Sequence, residues 1–453
     1  MSEITTAPEN KMGVMPVNRL LCTMSVPMIL SMLVQALYNV VDSIFVARIG
    51  EAALTAVSLS FPVQNLMIAI SVGTGVGVNA LLSRCLGQRH QKQADLAAIN
   101  GIFVFFISYL FFAVFGLFFT RSFFLSQTDN AEIITLGTQY LSVCTLFSFG
   151  IFGQIILERI MQSTGRTIYN MVTQGIGAIT NIILDPILIF GLFGAPKMGI
   201  TGAAVATVIG QILGMVLSLY FNMRKNPDIN LAFRGFRPHK QTILDIYLVG
   251  LPSIIMQSIG SAMTLGINTI LLMFSETAVS LFGIYFKLQS FIFMPVFGLT
   301  NAMVPIIAYN YGAHKRKRIT KTIELSTIAS ISIMGIGLLI FQIFPVQLLS
   351  MFNASAHMME IGVPALRIIS MSFLFAGYSI VISSVFQALG NGIYSLIISV
   401  ARQLVCILPF AYLFAKVWGL HAVWYSFPLS EIIAFLITSY MFKKTYDKTI
   451  KAL

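Results

Sequence analysis

Twelve apolar runs, each long enough to cross a bilayer, follow one another from residue 20 to residue 442 and dominate the chain. They fall within residues 20–47, 52–82, 94–119, 133–157, 168–190, 200–222, 246–274, 279–308, 324–346, 362–386, 393–415 and 420–442. A hydrocarbon layer takes about 20 helical residues to span, so the expected fold is an all-α membrane protein of twelve transmembrane helices. At 57% hydrophobic and 10% charged residues over 453 positions, a water-soluble form would expose apolar surface far beyond what stays in solution. Residues 1–18 are polar and the first apolar run spans by itself, so no removable leader is expected. Cys22, Cys85, Cys144 and Cys406 are scattered through apolar segments without metal-type spacing, which argues for reduced core residues rather than a metal site or a disulfide framework.

The net charge of +12 acquires a meaning once it is placed. With the N-terminus inside, the cytoplasmic segments hold Lys11, Arg19, Arg84, Arg89, Lys92, Arg159, Arg166, Arg224, Lys225, Arg234, Arg237, Lys240, Lys315, Arg316, Lys317, Arg318, Lys321, Lys443, Lys444, Lys448 and Lys451. The outer loops hold only Arg48, Arg121, Lys197 and Lys416. Lys and Arg concentrate on the cytoplasmic side of membrane proteins, so both termini are expected in the cytoplasm of a multi-pass plasma (cell inner) membrane protein. The basic balance is then a topogenic signal rather than a nucleic-acid surface. The run His314–Arg318 reads as a cytoplasmic loop, with anionic lipid headgroups as its other reading.

A loop over residues 224–245, rich in Pro, Gly and basic residues, divides the chain near its midpoint into an N-lobe (1–223) and a C-lobe (246–453). The lobes repeat at a constant offset of 225 residues: Pro27 and Pro252, Phe61 and Phe286, Gly73 and Gly298, Gly87 and Gly312, Gln162 and Gln387, Gly165 and Gly390, Tyr169 and Tyr394. The register shifts by five residues in the loop before Gly199 and Gly419. Six-helix halves that start on the same side are parallel repeats, expected as two pseudo-symmetric bundles around a central cavity, the plan of secondary transporters that rock one half against the other.

Charges inside the apolar runs are the candidate functional residues, because an ionised group there costs roughly 2.5–3.5 kcal/mol on insertion scales and normally faces protein or a polar cavity. Asn181-Ile-Ile-Leu-Asp185-Pro186 puts an amide and an acid one turn apart on a single helix face, followed by a proline that marks a bend. On the first helix Asp42 lies about 9 Å from the end at Arg48, taking 1.5 Å per residue. Tyr38 shares its face and Pro27 lies three turns inward of Tyr38. Desolvation favours the neutral form of buried carboxylates, so an acid pair here is suited to taking up and releasing protons. The positions 225 residues on are Ile267 and Phe410, which cannot titrate. The C-lobe instead carries Lys287, Arg402 and Glu431, each about 12–17 Å from its nearer helix end at 1.5 Å per residue, as a structural bridge or as charges lining the lobe. Glu158, beside Arg159, reads as interfacial, with a place facing the inner vestibule as its other reading.

With these residues in place the chain resembles the multidrug and toxic compound extrusion (MATE) antiporters, in the prokaryotic branch with acids on helices one and five. The residues that carry the resemblance are Pro27 with Asp42, Asn181 to Pro186, and Gly202-Ala-Ala-Val-Ala-Thr207 on the sixth helix. It implies that Asp42, Asn181, Asp185 and Thr207, with Tyr38 beside them, form the cation-coupling site. The second-lobe acids of some sodium-coupled members are not apparent. That favours H+ as the coupling ion, although Asp, Asn, Thr and Tyr oxygens also suit Na+.

The expected function is therefore secondary active efflux of amphipathic, cationic drugs or toxic compounds by a monomer in the lipid bilayer, with no cofactor beyond the coupling ion. Twenty-three Met and 37 Phe permit a cavity wall that repacks around dissimilar ligands. A major facilitator fold is disfavoured, because the loop Ser83–Lys92 has no acid before Asp95. A flippase for lipid-linked oligosaccharides, which needs a basic cavity, is kept open by Lys287 and Arg402. A non-transporting receptor would need a ligand-reading soluble domain, and no loop is long enough to fold alone. No nucleophile–base spacing, phosphate-binding loop or metal cluster points to an enzyme.

Overall fold

The computed structural model describes residues 9–233, 235–352 and 354–453, so Arg234 of the basic loop lies outside the described residues. Among them there are helices and no strands. Ten helices are long and apolar enough to span: α1 (Val17–Ala47), α2 (Glu51–Gly87), α3 (Gln91–Phe118), α5 (Thr167–Phe190), α6 (Ile200–Lys225), α7 (Lys240–Leu272), α8 (Glu276–Gly312), α9 (Arg316–Ile343), α11 (Gly392–Trp418) and α12 (Leu420–Ile450). Two further spans are bent pairs: α4, made of Ala131–Leu146 and Phe149–Ser163 at 42°, and α10, made of Ala356–Ser370 and Phe373–Ala388 at 47°. The twelve-helix plan read from the apolar runs holds.

The breaks lie elsewhere than the prolines. Both α1 and α5 run through Pro27 and Pro186 as single helices. In α4 the ladder tightens where Ser148 N bonds the Thr145 carbonyl and Gly150 N the Phe147 carbonyl, three residues back instead of four. Thr145 Oγ1 also donates to the Leu141 carbonyl at 2.7 Å, a back-bond that bends helices. In α10 Met371 N and Ser372 N make the same short bonds to Ile368 and Ile369. Proline forfeits one bond, whereas these segments change the turn itself.

Packing divides the chain into two compact units: Leu30–Ile254, and the chain up to Ile29 together with Ile255–Leu453. The crossings fall inside α1 and α7, and Ile29 and Ile254 are themselves 225 residues apart. Small residues explain them. A Cβ on Gly73 of α2 would lie 2.7 Å from the Ile254 nitrogen, and one on Gly298 of α8 would lie 2.7 Å from the Ile29 nitrogen. The second helix of each repeat thus receives, backbone against backbone, the first helix of the other repeat. In lipid such contact is a main source of helix association, since apolar transfer adds little.

Polar tethers secure both exchanged segments. Ahead of α7, His239 N donates to Asn100 Oδ1 at 3.0 Å. Ahead of α1, Asn310 Nδ2 and Arg318 donate to the Met12 carbonyl at 3.0 and 2.9 Å, and Lys315 bonds Glu9. Two members of the basic run 314–318 therefore hold the chain's own N-terminal segment. The repeat extends to the backbone: Arg89 and His314, at the same offset, are left-handed at φ 60° and 55°, as are Gly165 and Gly390 at 81° and 85°.

The aromatic core of the unit that contains the C-lobe helices gathers Phe282, Tyr285, Phe341, Phe373, Trp424 and Phe427, with Trp424 fully buried.

Candidate functional site

α5 is amphipathic in the sense opposite to a soluble helix. Its buried positions are Thr167, Asn170, Thr173, Gly177, Asn181, Asp185 and Ile189, while Ile168, Ile176, Ile179 and Ile183 are exposed. In a bilayer the apolar face turns outward and polar groups must find partners within the bundle. Gly177 and Gly210 let α5 and α6 touch: a Cβ on Gly210 would lie 2.7 Å from the Gly177 carbonyl oxygen. That approach brings Asn181 Nδ2 to Thr207 Oγ1 at 3.2 Å. Tyr38 Oη of α1 shares the same hydroxyl at 3.4 Å.

Asp42 and Asp185 are close neighbours between α1 and α5. Asp185 is fully buried and Asn181 is 2% exposed. Both oxygens of Asp185, Oδ1 of Asp42 and Oδ1 of Asn181 are buried and have no donor. Carboxylates only accept, so a hydrogen bond between two of them requires a proton on one. The cluster is a cage of buried acceptors, and buried acceptors rarely go unpartnered. Tyr38, Asp42, Asn181, Asp185 and Thr207, the five coupling residues expected from sequence, are thus brought together in one unit. Gln64, Tyr140 and Cys144 extend the cluster: Gln64 Nε2 donates to Tyr140 Oη at 3.2 Å, and Tyr140 and Cys144 both lie close to Asp42. They are not acids or bases that stand out in an apolar run, and only the one-turn spacing of Tyr140 and Cys144 on α4 hints at two of them in sequence.

In the other unit Arg402 Nη1 donates to Glu431 Oε1 at 3.2 Å. Arg402 lies in a π-helical segment of α11, Ala401–Ile407, of the kind often found at functional sites. Glu431 Oε2 remains buried without a partner. Lys287 stays out of this pair; its side chain is exposed on α8. Glu158 is held inside the protein. It is 3% exposed, turned into the bundle by donors on α5 that lie far away in the chain.

The sequence profile of the MatE family matches twice, over residues 27–187 and 252–413, once on each repeat. The chain belongs to the MATE family. It is 26% identical over 431 residues to the multidrug export protein MepA of Staphylococcus haemolyticus, spanning 94% of each chain. It is 24% identical over 426 residues to an FAD transporter of Shewanella oneidensis, again 94% of each. A solved outward-facing multidrug resistance MATE transporter of the MOP superfamily superposes with a TM-score of 0.93 at 25% identity, covering 99% of this chain and 100% of that one. The protein is therefore a multi-pass membrane protein of a multidrug efflux transporter family, whose members are transporters rather than enzymes.

Proposed function

We propose that this protein exports amphipathic compounds, cationic ones included, by alternating access, driven by H+ entering through Asp42 and Asp185. The observation that carries the reading is the acceptor cage: four buried oxygens of Asp42, Asn181 and Asp185 without a donor, beside a hydroxyl that links Tyr38 and Asn181. A proton on either acid satisfies part of the cage, and Na+ is the alternative occupant, since the same oxygens suit a hard cation. No cofactor beyond the coupling ion enters the reading. The Lys and Arg distribution supports cytoplasmic termini, and the chain acts as a monomer. Pro27 and Pro186 supply weak points at which α1 and α5 can bend on protonation.

Efflux of a cationic dye from cells expressing the protein tests this. Export should stop when the pH gradient is collapsed at constant sodium. Export that follows the sodium gradient instead assigns Na+ as the coupling ion, and dye retention under both gradients removes the reading.

A second reading concerns cargo charge. Lys287 is exposed and apart from the Arg402–Glu431 pair, and a relative of similar identity is an FAD transporter. Both support tolerance of anionic amphiphiles. Competition of dye efflux by a flavin dinucleotide, lost in Lys287→Met, distinguishes this cargo from a lipid-linked sugar.

A further inference from the structure

The acid cage is not the only buried carboxylate in its unit. Glu158 of α4 is 3% exposed and its carboxylate accepts hydrogen bonds from neutral donors. Gln154 Nε2 and Thr173 Oγ1 donate to Oε1 at 3.0 and 2.9 Å, and Gln174 Nε2 donates to Oε2 at 2.7 Å. No Lys, Arg or His lies within ion-pair distance of it among the described residues. Arg159, next in the chain, turns to Gln162 Oε1 at 2.9 Å. Arg159 is the charged group that acts on Glu158, and the α5 residues that bond it, Asn170, Thr173 and Gln174, are neutral.

Two features separate this arrangement from a merely satisfied acid. Asn170 Oδ1 and Gln174 Oε1 are buried acceptors without a donor, although both amides bond Glu158, at its backbone carbonyl and its carboxylate. Thr173 Oγ1 has one proton and two acceptors in reach, Glu158 Oε1 and the Asn170 carbonyl at 3.0 Å. The cluster therefore has more oxygen lone pairs than protons, and the carboxylate it surrounds makes no ion pair among the described residues, Arg159 attracting it from its place beside Gln162.

We propose that Glu158, Thr173, Gln174 and Asn170 form a second monovalent-cation site, for H+ or Na+, in the same lobe as Asp42 and Asp185. A bound cation neutralises the carboxylate and takes up the orphaned amide oxygens, the hard-oxygen set such ions select. The site is separate from the acid cage. Along α5 its nearest residue, Gln174, stands eleven positions from Asp185, about 17 Å at 1.5 Å per residue. Between them Gly177 is pressed against Gly210 with no room for a side chain. The binding itself does not depend on what the protein exports; its use as a second coupling step rests on the proposed function.

Infrared difference spectroscopy of the purified full chain in lipid tests the site in the Asp42→Asn/Asp185→Asn background, where the first site is silent. Subtracting the spectra of the same variant with Glu158→Gln isolates one carboxyl group from the exposed acids. A carboxylate band that shifts when Na+ replaces choline at fixed pH supports sodium. A carboxyl C=O band that appears on acidification, with no sodium response, supports the proton. Thr173→Val and Gln174→Leu keep the acid and should each weaken a sodium midpoint about tenfold, equivalent to about 1.4 kcal/mol, whereas a proton midpoint should move to higher pH, because each change removes a donor that stabilises the charged carboxylate. These variants carry the test if Glu158→Gln does not fold. Absence of both responses, or midpoints unmoved by Thr173→Val and Gln174→Leu, overturns the site and leaves Glu158 as a structural anchor.

Discussion

Asp42 of α1 and Asp185 of α5 are close neighbours inside one bundle, and no basic residue stands against either carboxylate among the described residues. An amide in place of either acid brings the NH2 donors that the cage lacks. Asp42→Asn and Asp185→Asn should therefore stay folded, gain up to about 1 kcal/mol of stability, and lose efflux by more than tenfold. Thermal melting of the purified variants alongside dye efflux checks both halves. Unfolding of the variants would show that the charge itself holds the bundle together.

The same proximity fixes the sign of the pH effect. If cargo binds the form in which the acids have released a proton, lowering the pH fills the cage and competes with cargo. Affinity for a cationic ligand should then fall about tenfold per pH unit for one linked proton, and cargo binding must release protons with the same coupling energy. Ligand binding measured across pH checks the slope. A flat profile in the Asp42→Asn/Asp185→Asn variant is expected, and the wild-type slope surviving there moves the linkage elsewhere, with Glu158 the first candidate.

Much of this was legible in the chain because the bilayer narrows the choices. The apolar runs mark the helix ends to within eight residues, and Asn181 and Asp185 announce themselves as polar groups on an apolar helix. The exchange of α1 and α7 between units was not legible, since nothing in a glycine reveals whether its neighbour comes from the same repeat. The partners of Glu158 were hidden for a related reason. Its donors Thr173 and Gln174 are fifteen and sixteen residues away, so a chain-local view saw only the arginine beside it. The breaks in α4 and α10 depend on short backbone bonds that Ser and Thr favour without announcing them.

The exchange can be tested at its symmetric contacts. Gly73→Leu and Gly298→Leu both force a side chain into the partner helix's backbone, where overpacking costs about 1–3 kcal/mol. Similar losses of thermal stability are expected at the two positions, because each meets a residue 2.7 Å from its Cβ. Wild-type melting of either variant contradicts the packing of its unit.

Arg402 and Glu431 are half-shielded rather than sealed, with side-chain exposures of 22% and 11%. Removing one partner of such a pair strands the other, at up to about 3–5 kcal/mol for a fully buried pair, whereas replacing both with apolar residues is often neutral. Glu431→Gln should reduce folded protein in the membrane, and Arg402→Met/Glu431→Leu should restore it. Normal yield for Glu431→Gln with altered cargo range assigns the pair to cargo instead of structure.

The number of coupled charges decides which force drives export. One proton exchanged for one monovalent cationic compound moves no net charge, so the membrane potential contributes nothing and only the pH gradient counts. Two cations change this, whether both reside at Asp42 and Asp185 or one occupies the Glu158 cluster. A net positive charge then enters per cycle, worth about 2.3 kcal/mol per 100 mV, roughly a fifty-fold gradient at about 1.4 kcal/mol per decade. In reconstituted vesicles with a clamped pH difference, export of a monovalent cation should respond to an imposed potential for the wild type. Glu158→Gln should abolish that response while pH-driven export persists if the second charge is carried there, and should leave it intact if the two aspartates carry both. Export by the wild type that is indifferent to the potential reduces the coupling to one charge, held at the Asp42–Asp185 pair alone.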